Sequence, residues 1–220
     1  MIVVRGRKTV DMSADQLAAT VEAHKGVVVD LGTGDGRYAF RYAQANPRTL
    51  VIGIDAIADN LKEVSHRADR SPRRGGLPNL LFVRASAEDV PGELRGVADE
   101  IHVLLPWGRL LVGCLLAEDL IMYGLTSLAG PGARLRLVFN AEIWADSTPK
   151  ELAHLPRLTR SYVEETMVPA YRRFGIELER SRLMDEAEVD ELGTTWAKKL
   201  SDGRHPDFVL IEGKVAGPGH

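Results

Sequence analysis

Behind the apolar run Val27-Val28-Val29 the chain reads Asp30-Leu31-Gly32-Thr33-Gly34-Asp35-Gly36, a glycine-rich turn with carboxylates at both ends. Glycine at 32 and 34 lets a strand bend sharply into a helix with nothing projecting inward, so a nucleoside can lie against main-chain atoms. The spacing selects among nucleotide-like ligands. A dinucleotide fingerprint needs G-x-G-x-x-G and turns backbone amides toward a pyrophosphate, whereas Asp30 and Asp35 would repel a diphosphate. Two carboxylates suit a ligand carrying an ammonium and a sulfonium, and S-adenosylmethionine carries both. The plainer alternative is a turn that only closes a strand-helix unit.

Further candidates lie at the ends of later strand-like runs. Asp55 closes the second run, where an adenosyl cofactor's ribose hydroxyls meet a carboxylate in a doubly wound sheet. After the third run, Ala85-Ser86-Ala87-Glu88-Asp89 places small residues, Ala87 among them, where an adenine ring can lie, with Glu88 to accept from its exocyclic amine. Glu88 or Asp89 would serve equally as the cap of a following helix. The fourth run leads through Leu104-Leu105 into Pro106-Trp107-Gly108, and a Trp at that place faces the cofactor crevice. Many adenine- and amide-methylating enzymes of this architecture carry a Pro-aromatic motif there with an Asn or Asp. Leu104-Leu105-Pro106-Trp107 has no such side-chain acceptor, so attack by a ring nitrogen fits better than attack by an exocyclic amine. Thr194-Thr195-Trp196 supplies a second aromatic in the connection to the last strand. Two aromatic faces sandwich one extruded base, at roughly 1 to 3 kcal/mol per stacking contact. Thr194 or Thr195 can bond the methionine end of the cofactor or cap a helix. Trp144 is assigned to the core or a loop.

These residues need a scaffold that brings strand ends together. Strand-like runs at 27-30, 50-55, 79-84, 100-105 and 133-139 each precede a segment of helical periodicity, the pattern of a parallel sheet covered by helices. Runs at 174-183 and 207-215 then follow without that alternation and can close the sheet with a reversed strand. The expectation is a single α/β domain over residues 1-220: a Rossmann-like class I S-adenosylmethionine-dependent methyltransferase fold, seven strands, mostly parallel, the last antiparallel. Residues 1-12 form a short N-terminal hairpin ahead of it, and Ser13-Ala14-Asp15-Gln16 has capping-box spacing for an opening helix. Segments 141-173 and 184-206 are left as connections to form a substrate face.

The composition narrows the partners. Of 220 residues 45% are hydrophobic, enough for one buried core, and no apolar stretch is long and uncharged enough to suggest a membrane span or a signal peptide. Cys114 is the single cysteine, which excludes an internal disulfide and a cysteine-rich zinc site, leaves no metal expected, and fits a cytoplasmic protein. A net charge of -3 gives no global footprint for nucleic acid, so any polyanion contact must be local. Positive charge does collect at Lys62, Arg67, Arg70, Arg73 and Arg74 and again at Lys198, Lys199, Arg204 and His205. A few cations on one face give salt-sensitive RNA binding, while each run taken alone is equally a solvated face.

Four motifs together resemble one family. Asp30-Leu31-Gly32-Thr33-Gly34-Asp35-Gly36 is common to many methyltransferases. Gly75-Gly76-Leu77-Pro78-Asn79-Leu80-Leu81, His102-Val103-Leu104-Leu105-Pro106-Trp107-Gly108, and Thr194-Thr195-Trp196 followed by basic residues are specific. The chain is similar over most of its length to the 16S ribosomal RNA methyltransferases that modify N1 of adenine-1408, the kanamycin- and apramycin-resistance group. The resemblance implies that the tryptophans matching Trp107 and Trp196 hold the flipped adenine. It also implies that positions matching Asp30, Gly32, Asp55, Ala87, Glu88, Leu104 and Thr194 line the S-adenosylmethionine site, which releases S-adenosylhomocysteine. The substrate it implies is 16S rRNA helix 44 in the 30S ribosomal subunit, bound by a monomer. Gly193 and Thr195 stand where relatives have Glu and Ser, and near Pro206, where some relatives carry a second arginine, only Arg204 and His205 are available. A methyltransferase for tRNA or a small molecule, or a protein that only senses S-adenosylmethionine, remains as an alternative.

Overall fold

The computed structural model describes residues 1-141, 155-192 and 208-216. Nine strands form one sheet: β1 (Ile2–Arg5), β2 (Lys8–Asp11), β3 (Gly26–Leu31), β4 (Thr49–Asp55), β5 (Leu80–Arg84), β6 (Ala98–Leu104), β7 (Ala129–Asn140), β8 (Ile176–Leu183) and β9 (Phe208–Val215). Their spatial order is β2-β1-β5-β4-β3-β6-β7-β9-β8. The helices are α1 (Ala14–Glu22), α2 (Arg37–Ala45), α3 (Ala58–Ala68), α4 (Gly108–Leu116), α5 (Asp119–Leu128), α6 (Arg160–Tyr162), α7 (Val168–Arg172) and α8 (Glu186–Leu192). A single π turn, Val163–Met167, joins α6 to α7. The expected seven strands are all present, and β9 runs antiparallel to both β7 and β8. The count of seven is corrected to nine because the N-terminal hairpin joins the sheet, β1 pairing antiparallel with β5 through Val3↔Val83 and Val4↔Phe82.

Alternation of side chains along the strands divides the core into two faces. Leu50, Ile52 and Ile54 of β4 and Leu81 and Val83 of β5 pack into the layer covered by α1, α4 and α5, while Val51, Leu80 and Phe82 point to the opposite side, under α2 and α3. Both faces are covered, which is why these strands read as near-continuous apolar runs. The capping box is formed: Gln16 N donates to Ser13 Oγ at 3.2 Å, and Ser13 N donates to Gln16 Oε1 at 3.0 Å.

One sequence expectation fails here. No α-helix follows β5; residues 85-97 form a loop with a single 3-10 turn at Gly92–Leu94. Pro91, Gly92 and Gly96 interrupt any helical run, and Gly124 of α5 fits against the carbonyl of Ala87 so closely that a methyl there would stand 1.6 Å from that oxygen. The helix-cap reading of Glu88 and Asp89 goes with it: Ser86 and Asp89 instead pair across a tight turn.

Candidate active site

The order β4-β3-β6 puts the switch point of the sheet at β3, and the carboxyl ends of β3, β4, β5 and β6 open onto one cavity of about 700 Å³. Gly32, Gly34, Asp55, Ala87, Glu88, Leu104, Leu105, Pro106 and Trp107 all line it. Nine of the residues singled out from sequence, spread over 76 positions, therefore share one wall.

The floor is main chain. Gly32 N and Thr33 N both donate to Ile54 O at 2.9 Å, which pins the glycine turn to the end of β4. Asp55 ties the turn from the other side, Oδ2 accepting from Gly34 N at 3.0 Å and Oδ1 from Ile57 N at 2.9 Å. Burial pushes its carboxyl above the usual range while these two amides pull it back. Gly34 has φ +60°, and a methyl there would meet nothing within 4 Å; it would protrude into the cavity. Gly36, two residues on, has φ +72° and backs onto Phe82, whose ring would lie 2.6 Å from an added methyl. One glycine thus keeps the cavity open and the other keeps the turn packed on the sheet.

Asp30 does not face the cavity. It is 2% exposed, beneath the turn, where the Thr33 hydroxyl donates to it, and burial raises its carboxyl to about 6 in spite of that bond and of the nearby His102. Its place as a direct lining residue is therefore corrected: it supports the turn and adds negative charge from below. The strand register explains its company. Asp30 lies beside His102 of β6, and His102 beside Arg136 of β7, on the face covered by α2. Tyr38 of α2, a cavity-lining residue, places its hydroxyl 2.9 Å from His102 Nδ1, and His102 Nε2 lies 2.8 Å from Glu100 Oε1. The Glu100 carboxyl is held below its usual range chiefly by that bond to His102, with Arg134 adding to it, so it is ionised and accepts; Nε2 carries a proton.

The rim is aromatic and apolar. Trp107 is 46% exposed at the start of α4, and Pro106 before it is buried. Leu105 holds φ at 49°, in the left-handed region, while its amide donates to Val138 O at 2.8 Å; the strand thus breaks off abruptly into the Pro-Trp corner. Ile57, 58% exposed, stands on the Asp55 side of the mouth. Glu88 accepts from Arg109 Nε at 3.0 Å, and Arg109 also approaches Glu118 at 3.7 Å. Among the described residues no group of three or more His, Cys, Asp or Glu is arranged to hold a metal ion.

Trp196, Thr194, Thr195, Lys198, Lys199 and Arg204 lie outside the described residues, as does Trp144. Their approach is fixed as far as Leu192. That side chain is 1% exposed and packs with Tyr38 and Leu104, both cavity residues, and Arg41 of α2 donates to the Leu192 carbonyl. Arg67 lies on α3 with its guanidinium 4.5 Å from the Phe40 ring centre; Arg70, Arg73 and Arg74 follow on the exposed turn after it. Sequence reasoning missed Tyr38, Arg41, Arg109 and Ile57. His102 alone left a signal, a histidine inside an apolar strand.

Comparison with known proteins decides between a methyltransferase and a sensor. The family model described as NpmA: 16S rRNA (adenine(1408)-N(1))-methyltransferase matches residues 2–215. The chain belongs to this family. It is an S-adenosylmethionine-dependent rRNA adenine-N1 methyltransferase. The 16S rRNA (adenine(1408)-N(1))-methyltransferase of Streptoalloteichus tenebrarius is 35% identical over 214 residues, covering 97% of this chain and 98% of that one. A protein of the same name from Escherichia coli is 33% identical over 217 residues, covering 98% and 99%. A variant of the family member from Catenulisporales acidiphilia, solved with its cosubstrate SAM, superposes with a TM-score of 0.94 at 35% identity, covering 100% of this chain and 99% of that one. That protein shares the overall fold of this chain to that extent, so the cavity described above sits in a family scaffold.

Proposed function

We propose that the chain acts in the cytoplasm, as a monomer, on helix 44 of 16S rRNA in the assembled 30S subunit. It moves the methyl group of S-adenosylmethionine to N1 of adenine-1408 and so confers kanamycin and apramycin resistance. The observation that carries the assignment of roles is the cavity itself: an acidic, glycine-floored pocket with a half-exposed tryptophan at its mouth and no side-chain acceptor in the Leu104-Leu105-Pro106-Trp107 corner.

Asp55 is the carboxylate for the ribose hydroxyls, with Ala87 against the adenine, Glu88 for its amine, and Gly32, Gly34, Leu104 and Leu105 as the wall. The residues present fit the cofactor: the space beside Gly34 that a methyl would fill is left open, and the acids offset its positive charge. When bound, S-adenosylmethionine supplies an electrophilic methyl on a sulfonium. Thr194 and Thr195 are assigned to its methionine end. Trp107 and Trp196 hold the extruded adenine between them, and Pro106 keeps the Trp107 corner rigid. Four residues span at most about 14 Å of chain, so Trp196 is within reach of the wall that Leu192 joins. The in-plane lone pair of N1 forms the new N–C bond as the S–C bond breaks, and the positive charge passes from sulfur to the base. No proton moves, so no general base is needed, and positioning carries the catalysis. A cationic N1 no longer accepts a hydrogen bond, which disfavours a cationic drug at that edge.

The test is transfer of tritiated methyl from S-adenosylmethionine to purified 30S subunits, with reverse transcription to locate the modified base. A stop at adenine-1408 is expected. Trp107→Ala and Trp196→Ala each lower the rate by about 5- to 150-fold, the equivalent of one lost stacking contact. Full activity in both variants, or label on free tRNA and none on subunits, removes the reading.

A further inference from the structure

The N-terminal hairpin has no part in the pocket, yet its tip is fixed with care. Val3 and Val4 pair with β5, and Ser65 of α3 locks the turn: its Oγ accepts from Gly6 N at 2.9 Å and donates to Val4 O at 2.8 Å. This bond pair brings the exposed Arg7 against the outer face of α3, where it closes one side of a cleft of about 400 Å³ with Lys62, His66, Arg67 and Arg70. Of the acids there, Asp59 is engaged by Lys62 at 2.6 Å, and Asp69 nearby lies 3.8 Å from Arg5; Glu63 is the acid left at the cleft. Arg7 forms no ion pair among the described residues. A hairpin is thus tied by a buried serine so as to add an uncompensated guanidinium to a run of cations from another element.

We propose that the hairpin is an RNA-binding element in which Arg7, together with Lys62, Arg67 and Arg70, grips the phosphodiester backbone of the ribosomal substrate. The proposal rests on the reading of the chain as an enzyme of ribosomal RNA and extends it to a part of the fold outside the pocket. The placement suits that partner. α3 starts at the pocket rim, beside Ile57, and its 11 residues run about 16 Å to the hairpin. The cleft thus lies within about one helix length of a base held in the pocket, close enough for neighbouring backbone of the same substrate to reach it. A guanidinium suits a phosphate by its forked geometry as well as its charge.

The test is equilibrium binding of the full-length enzyme to 30S subunits from 50 to 200 mM salt. Arg7→Ala is expected to lower the slope of log affinity against log salt by about 0.7 to 0.9. Its disadvantage against wild type therefore shrinks about threefold across that range. Arg7→Lys restores the slope, and affinity for S-adenosylmethionine and melting temperature stay at wild-type values in both. Lys25→Ala, an exposed cation just ahead of β3 and outside the cleft, serves as the control and leaves the slope unchanged. An Arg7→Ala slope equal to that of Lys25→Ala overturns the proposal. If Arg70→Ala still lowers the slope in that case, the basic face of α3 stands and only the hairpin's part is lost. If no cationic variant changes it, the reading of this face as an RNA surface falls as well.

Discussion

Replacing Asp30 by Asn should make the protein more stable and less able to bind its cofactor. Asp30 is 2% exposed, and burial raises its carboxyl from 3.8 to about 6. Between those two values the folded chain holds a proton that the unfolded chain has released. Stability therefore falls as pH rises from about 4 to about 6, and above that the penalty stays constant. The shift corresponds to about 3 kcal/mol. Asn has the same shape and can still accept from the Thr33 hydroxyl, so it removes the charge and leaves the contact. For a domain of this size the melting temperature of Asp30→Asn at pH 7.5, without cofactor, should exceed that of wild type by about 6 to 12 °C, and the gap should narrow to about a third of that at pH 4.5. The same variant should lose affinity for S-adenosylmethionine, because an amide beneath the turn cannot offset a cation above it. Differential scanning calorimetry across pH, paired with calorimetric titration of the cofactor, reads both. A gap independent of pH, or a less stable variant at pH 7.5, would refute the reasoning that the buried charge is tolerated for binding.

The two glycines of the turn should separate binding from folding. Gly34→Ala costs about 1 to 2 kcal/mol for its left-handed backbone and should abolish cofactor binding in titration, because its methyl enters the cavity; Gly36→Ala carries the same backbone cost plus a 2.6 Å encounter with Phe82 and should yield little folded protein on thermal melting. Tyr38→Phe leaves His102 Nδ1 buried without its partner and should cost about 1 to 3 kcal/mol in denaturant unfolding; unchanged stability would mean that the ring nitrogen finds another donor.

The parallel sheet was legible because its strands are buried on both faces and so read as apolar runs, and the reversed last strand was legible because an acidic stretch, which forms only the short α8, separates the runs at 174-183 and 207-215 where an apolar covering helix would be needed for a parallel crossover. The nine-stranded count was not, since four-residue strands such as Ile2–Arg5 carry too few positions to show whether they join a sheet or stand apart. The pocket wall was readable wherever a residue ends a strand, as Asp55 does, or directly follows one, as Leu105 does, because a strand end in a doubly wound sheet has one address. Tyr38, Arg41 and Arg109 escaped because they reach the site from helices, where the side-chain direction depends on how the helix docks. Asp30 was half legible: the acid is where the motif puts it, but period-two alternation from Val27, Val29 and Leu31 to Val28 and Asp30 sends it to the α2 face, under the turn and away from the cavity.

That alternation also accounts for how a slightly acidic protein handles a cationic cofactor and a polyanionic substrate. Across the α2 face the cross-strand partners run Asp30, His102, Arg136, Glu212 and Arg180 over β3, β6, β7, β9 and β8, with His102 between Asp30 and Arg136 and Glu212 between two arginines. Glu212 is flanked by Arg136 and Arg180, and Asp30, on the strand at the switch point, is the member of the row nearest the cavity. The exposed cations of the cleft lie elsewhere, on the outer face of α3 and on the hairpin, up to about 16 Å along the helix from the rim. Screening at physiological ionic strength acts over about 8 Å. The acids under the pocket and the arginines of the cleft thus work in separate fields, one short-ranged and buried, the other exposed and sensitive to salt. A net charge of -3 conceals this division, because it adds two populations that never act on the same ligand.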